Sequence, residues 1–261
     1  MDAREFQPFG SSHWTAILAT LIAAVALVRW FRHPGVSSER KWRARRILAA
    51  VLCIAVILDP VLAWVRFGAD PATAWSIIRE NTLPIFLCDV VAVMLSIALL
   101  TGNRPLAEAG FIWSIAGTIQ GLITPTLHFD WNSPEYYAFF AEHGGGPVAG
   151  LILVFGLGLA PQPGYFARML CWSWGYMAVV MALNALLGTN YGFLNGKPTV
   201  PTPLDHMGAW PYYLFTLQAV AFPLYLAIGE SAIRIVRGFP PLEFPPAMPP
   251  DESPEAPGTK S

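Results

Sequence analysis

The sequence predicts an all-α protein: a polytopic membrane helix bundle with about seven transmembrane helices. Three observations lead there. Hydrophobic residues make up 54% of the 261 positions and charged residues only 13%, outside the range of ordinary soluble domains. The apolar residues fall in blocks close to the roughly 20 residues that cross a bilayer. The basic residues collect between blocks, as loops next to a membrane do.

Seven blocks qualify in order: Trp14–Phe31, Ile47–Val65, Leu83–Leu100, Leu106–Ile123, Pro147–Phe166, Met169–Leu187 and Trp210–Ile228. The first lacks a basic region before it and is long enough to stay as an anchor rather than be cleaved. The second is interrupted by Asp59-Pro60, which predicts a kink whose freed carbonyl finds a partner on a neighbour. In the third, Pro84 suits a first helical turn, so the helix is expected to begin at Leu83. The fifth is the shortest in strictly apolar residues, but Gly150, Gly156 and Gly158 would let neighbouring helices approach closely.

Charge sets the expected orientation. Arg32, Arg40, Lys41, Arg43, Arg45 and Arg46 place the first connection in the cytoplasm, with the N-terminus outside and the C-terminus inside. Seven spans, unlike six, keep Arg104, Arg168, Arg234 and Arg237 on that same side. The chain thus divides into a membrane domain, 1–238, and a proline-rich cytoplasmic tail, 239–261, too poor in apolar residues to fold. Two outer loops, 124–146 and 188–209, carry Trp131, Tyr136, Tyr137 and Tyr191 and are expected at the headgroup level.

Several functions are excluded or disfavoured by composition. A net charge of −1 with no folded basic face argues against nucleic-acid binding. Cys53, Cys88 and Cys171 lie inside apolar blocks without C-x-x-C spacing, so neither a disulfide framework nor a zinc site is expected, and no cofactor or metal is assigned. No histidine pair lies at one depth across two spans, which argues against haem.

Depth then selects candidates. At 1.5 Å per residue, Cys88 falls about 8 Å and Asp59 about 9 Å below the outer ends of their spans, with Gln120 and Asn184 about 5 Å in. His143 sits just before the fifth span, followed by Gly144-Gly145-Gly146, a run suited to close approach or hinging. Five polar groups from five segments therefore share one outer slab, while the inner half reads as almost purely apolar. Such convergence marks a site or a pathway entrance. Cys53 and Cys171 read as packing residues. His128 and His206 read as solvated, although His206 could serve as a reserve base, and Asp89 reads as a partner for another span.

Five motifs add a resemblance: Leu83-Pro84 with Cys88; Gly117-Thr118-Ile119-Gln120 with Thr124-Pro125; Phe139-Phe140 with His143-Gly144; Asn190-Tyr191 with Lys197-Pro198; and Gly208 with Trp210-Pro211 and Tyr213. In this order they resemble the YwaF-type (TIGR-type) family of bacterial integral membrane proteins. That family is similar to a eukaryotic transmembrane acyltransferase acting on ether phospholipids, and more remotely to androgen-induced hydrolases of fatty-acid esters. The resemblance implies that Cys88 and His143 are catalytic. It also implies a bacterial cytoplasmic membrane and a lipid partner such as a lysophospholipid or fatty-acyl ester. Two departures stand out: Phe86 replaces a histidine common two residues before the cysteine, and Ala209 replaces the proline of a Gly-Pro-Trp-Pro motif. The first leaves His143 as the single base.

Acyl transfer needs a nucleophile, a base and oxyanion donors. Cys88 and His143 can fill the first two roles. Gln120, Asn184 or the glycine run could supply donors, Asn190 could touch substrate, and Lys197 could meet a phosphate. The alternative reading is a non-catalytic carrier or channel with a polar entrance, in which Asp59 and Asp89 dominate. A scaffold or receptor using the aromatic outer loops is a third.

Overall fold

The computed structural model describes residues 4–197 and 203–242. Most of the tail expected to be unstructured, 243–261, lies outside the described residues. Among the described residues the protein is helical, and its helices are long and apolar enough for six membrane spans, or seven when one bent pair counts as a span.

The first helix, α1 (Ser11–Arg32), ends at His33-Pro34, where the proline disfavours helical backbone before it. Ser37 caps α2 (Ser38–Phe67) by accepting the Arg40 N–H. This helix runs 30 residues and continues through Pro60 without interruption. Leu18, Ile22, Ile54 and Ile57 on these two helices are exposed, as suits a hydrocarbon-facing flank.

The third span differs from expectation. Asp70 caps α3 (Pro71–Ile77), which widens into a π turn over Ile78–Thr82; α4 (Leu87–Thr101) starts only after a 71° bend. Pro84 is therefore not in the first turn of α4 but three residues ahead of it. Its effect falls on Leu83, which is held extended at φ −64°, ψ 142°, the conformation a following proline favours. The Leu83 N–H is taken by the Ile78 carbonyl at 3.1 Å and the Tyr191 hydroxyl at 3.0 Å. The start of α4 is instead fixed by Asp89, whose carboxylate accepts the Phe86 N–H at 3.0 Å. Past its first turn α4 is the central helix, with Val91, Leu95, Ala98 and Leu99 fully buried among its neighbours.

The fourth span is α5 (Arg104–Trp113), a π turn over Ser114–Thr118, and α6 (Ile119–Ile123). The fifth also departs from expectation: it covers Pro134–Gly156, not Pro147–Phe166. Residues assigned to an outer loop form α7 (Pro134–His143), which continues through Gly144 into α8 (Gly145–Leu151) and a π turn over Ile152–Gly156. The reason is packing. This span is the most enclosed of the set, 67% buried, so its polar residues face protein and hydropathy alone could not find its start. The glycine run is helical rather than a free hinge, and close approach explains it. A Cβ at Gly144 would strike Thr20 of α1, and one at Gly145 would press on Leu52 of α2.

The last spans are α9 (Tyr165–Leu187), ended by Gly188 at φ 66°, and α10 (Tyr212–Arg237). Here and below, the N-terminal face means the one on which α1 begins. The opposite half is less apolar than the sequence suggested. Arg45 is fully buried and donates to the Leu99 carbonyl at 2.5 Å, covering the C-terminal end of α4. Glu108 holds Arg168 through two bonds of 2.8 Å, tying α5 to α9. These groups are paired, which is how charges persist at such depth.

Candidate functional site

On the N-terminal face, the bend before α4 and the hidden start of the fifth span bring distant residues together. Cys88 is the second residue of α4, in its first turn rather than a turn inside. Glu142 and His143 end α7. One donor atom from each, the Cys88 sulfur, a Glu142 oxygen and a His143 ring nitrogen, lies within 4.8 Å of the others. Asp89 heads toward Glu142 and their carboxyls interact directly, while Asp59 of α2 adds a third carboxyl to the same neighbourhood. Thus Asp89 does turn to another segment, as its angular offset from Cys88 requires.

The imidazole is immobilised from three sides. Its Nδ1 bonds the Phe139 carbonyl at 3.0 Å, which makes Nδ1 the protonated nitrogen and leaves the Nε2 lone pair free. Phe139 stacks on the ring, 4.1 Å between centroids and 14° between planes. Gly121 of α6 faces the other side, and a Cβ there would overlap the His143 ring. At Gly117, one turn earlier, a Cβ would meet Cδ2 of Leu87, next to the cysteine. Gly121 therefore belongs to the site though its side chain does no chemistry.

Two buried polar atoms nearby have no hydrogen-bond partner: Glu142 Oε1 and Thr118 Oγ1. A buried unsatisfied oxygen costs roughly 1–3 kcal/mol. Glu142 is 6% exposed, whereas Cys88 and His143 are half-buried, so the cluster has an open side. A lipid-facing groove of about 640 Å³, walled by Pro84, Ile85, Val90 and Met94 with Trp113 and Tyr176, lies on another flank of α4. It does not enclose the thiol.

The remaining predicted site residues do not join this cluster. Asn184 is 1% exposed and fully engaged in holding the second long connection: Oδ1 accepts from Tyr191 N–H at 2.7 Å and Thr189 at 2.9 Å, and Nδ2 donates to the Tyr191 carbonyl at 2.9 Å. Asn190 donates to the Gly196 carbonyl and accepts from Asn195 N–H, and Lys197 donates to the Asp205 carbonyl at 3.3 Å. Gln120 is exposed, and its carbonyl accepts from Thr124. His206 is exposed on the 3₁₀ turn Pro203–Met207. These asparagines reach the site only indirectly. They seat Tyr191, whose hydroxyl binds Arg79 and Leu83 and whose ring packs on Phe86 at 4.7 Å, so the connection clamps the bend that presents Cys88.

Glu142, Thr118 and Gly121 were not singled out as site residues from sequence. The available signal was an acid beside His143 directly ahead of a glycine run, which gains meaning only once α7 is seen to enter the bundle. The expectation of no metal site rested on cysteine spacing. The fold instead assembles a cysteine, a glutamate and a histidine of metal-ligating type from two separate helices.

Fold and site together define a polytopic helical membrane protein with a thiol, imidazole and carboxyl cluster buried near one face. The chain belongs to the TMEM164 family, whose sequence pattern matches residues 8–228, from before the first span into the last. None of the curated proteins and none of the solved structures matches it.

Proposed function

We propose that this protein is a membrane-embedded lipid acyltransferase or lipid-ester hydrolase with Cys88 as nucleophile and His143 as base. The observation that carries the reading is the approach of the Cys88 sulfur and a His143 ring nitrogen within 4.8 Å, with Nδ1 already committed to a carbonyl. Direct proton transfer needs about 3 Å, and such bonds commonly tighten only with substrate bound. The resemblance of the motif order to YwaF-type proteins and the ether-phospholipid acyltransferase supports the same assignment.

The steps follow from the groups. The thiol proton passes to Nε2 as sulfur attacks the ester carbonyl, and the carbonyl electrons move onto oxygen. That oxyanion would lie beside the first-turn amides of α4, Leu87 and Cys88, which have no intrahelical acceptor. Collapse breaks the acyl C–O bond; the leaving alkoxide takes the proton from His143, and an acyl-thioester stays on Cys88. A lysolipid hydroxyl or water then gives its proton to His143, attacks the thioester and releases the thiolate, which recovers the proton. With the N-terminus outside, as the loop charges favour, the cluster lies below the outer headgroups, at the level of phospholipid ester bonds.

The test is covalent. Purified protein in detergent is incubated with an activated long-chain acyl ester, and the thioester is located by mass spectrometry. Labelling confined to Cys88, abolished in Cys88→Ala and strongly slowed in His143→Ala, is expected. Equal labelling of Cys53 or Cys171, or parental transfer by both variants, sinks the reading.

A further inference from the structure

We infer that Cys88, Glu142 and His143 form a binding site for one zinc ion. The three donors, of thiolate, carboxylate and imidazole type, already lie within 4.8 Å of one another. A tetrahedral zinc ion with bonds of about 2.0–2.3 Å holds its donors about 3.3–3.8 Å apart, so each pair has at most about 1.0–1.5 Å to close.

Three independent features point to a cation. The Glu142 carboxyl meets Asp89 and Cys88, yet its Oε1 is buried without any hydrogen-bond donor, where buried carboxylate oxygens are normally hydrogen-bonded or bound to metal. Asp89 and Asp59 add carboxyls to the neighbourhood, and among the described residues no lysine or arginine forms an ion pair with these three acids. Carboxyl groups at membrane depth without a basic partner require protons or a metal. Lastly, the His143 ring is fixed by donation of Nδ1–H to a backbone carbonyl, which leaves on Nε2 the lone pair that a metal needs.

The donor set selects the metal. A thiolate with imidazole suits zinc over calcium or magnesium, which prefer all-oxygen shells. Thiolate and Glu142 carboxylate together neutralise the dication; the proton shared by the Asp89–Glu142 pair stays on Asp89, and one thiol proton is released on binding. The open edge beside Cys88 and His143 leaves the fourth position to water or Asp89. With sulfur and Nε2 both coordinated, neither can act in acyl transfer. Zinc occupancy and thioester formation on Cys88 therefore exclude each other. The metal assignment rests on geometry and charge and stands apart from the catalytic reading.

The test uses the full chain in detergent after chelation. Titration with zinc against a chromophoric chelator is expected to show one ion per chain. Cobalt(II) should give a sulfur-to-metal charge-transfer band that disappears in Cys88→Ser and persists in Cys53→Ser and Cys171→Ser. Glu142→Gln and His143→Ala should each weaken zinc binding by about tenfold or more. Because a variant could misfold, the parent is also tested directly: zinc should slow alkylation of Cys88, read at that residue by mass spectrometry, by at least about tenfold while Cys53 and Cys171 react at unchanged rates. Absence of stoichiometric binding, an unchanged cobalt spectrum in Cys88→Ser, or unprotected alkylation overturns the inference and leaves acyl transfer standing. Zinc binding as expected with no acyl-thioester does the reverse.

Discussion

Replacing Gly121 by alanine adds one methyl group, and the structure states where it goes. The new Cβ would overlap Cδ2 and press on Nε2 and Cγ of His143. The ring cannot retreat easily, because Phe139 stacks on it at 4.1 Å and its carbonyl holds Nδ1 at 3.0 Å. Restoring normal contact requires a ring shift of more than about an ångström, and a misplacement of that size costs about 100-fold in rate when the group acts on a reacting atom. The stability effect is smaller. Overpacking costs about 1–3 kcal/mol, and alanine in place of glycine inside a helix returns about 1 kcal/mol, so the net loss is about 0–2 kcal/mol. Thermal unfolding in detergent reads the second quantity, and the single-turnover rate of Cys88 acylation reads the first. Gly175→Ala is the matched control: this glycine sits within α9 with nothing within 4 Å of an added Cβ, so stability should rise by about 0.5–1 kcal/mol with acylation unchanged. Parental acylation by Gly121→Ala would refute the claim that the seating of this imidazole governs acylation.

Three further outcomes follow from the described contacts. Asn184→Ala should lower stability by about 2–4 kcal/mol, since it strands the buried Tyr191 N–H and carbonyl, and chemical unfolding should show it. Tyr191→Phe removes the hydroxyl shared by Leu83 N–H and the Arg79 carbonyl; a loss of about 1–2 kcal/mol is expected, with faster proteolysis at the bend before α4. Arg168→Ala should cost about 2–4 kcal/mol and more than Glu108→Gln, because Glu108 is the buried partner and Arg168 remains part-exposed. Equal losses in the two variants would contradict that asymmetry.

Much of the architecture is local and so was legible in the chain. Hydrocarbon thickness fixes how many apolar residues a span needs. The spans of α1, α2, α9 and α10 face lipid along much of their surface, so their hydropathy stands clear of the loops. Cys88 and His143 were legible as well, as polar groups at one expected depth. Turn chemistry was ambiguous: Pro84 fits a helical first turn or an extended break equally, and Tyr191, a residue 108 positions away, receives the Leu83 N–H that the break leaves.

The sequence by itself determined an all-helical membrane protein and placed a thiol and an imidazole near one another in depth. Only the tertiary structure decided where the fifth span begins, which acid stands beside His143, and why Gly121 must lack a side chain. Hydropathy records transfer of a residue into lipid, and Glu142 is transferred into protein instead. Whether such a group is tolerated depends on neighbours brought in from α2, α4 and α6, and no stretch of contiguous sequence contains them.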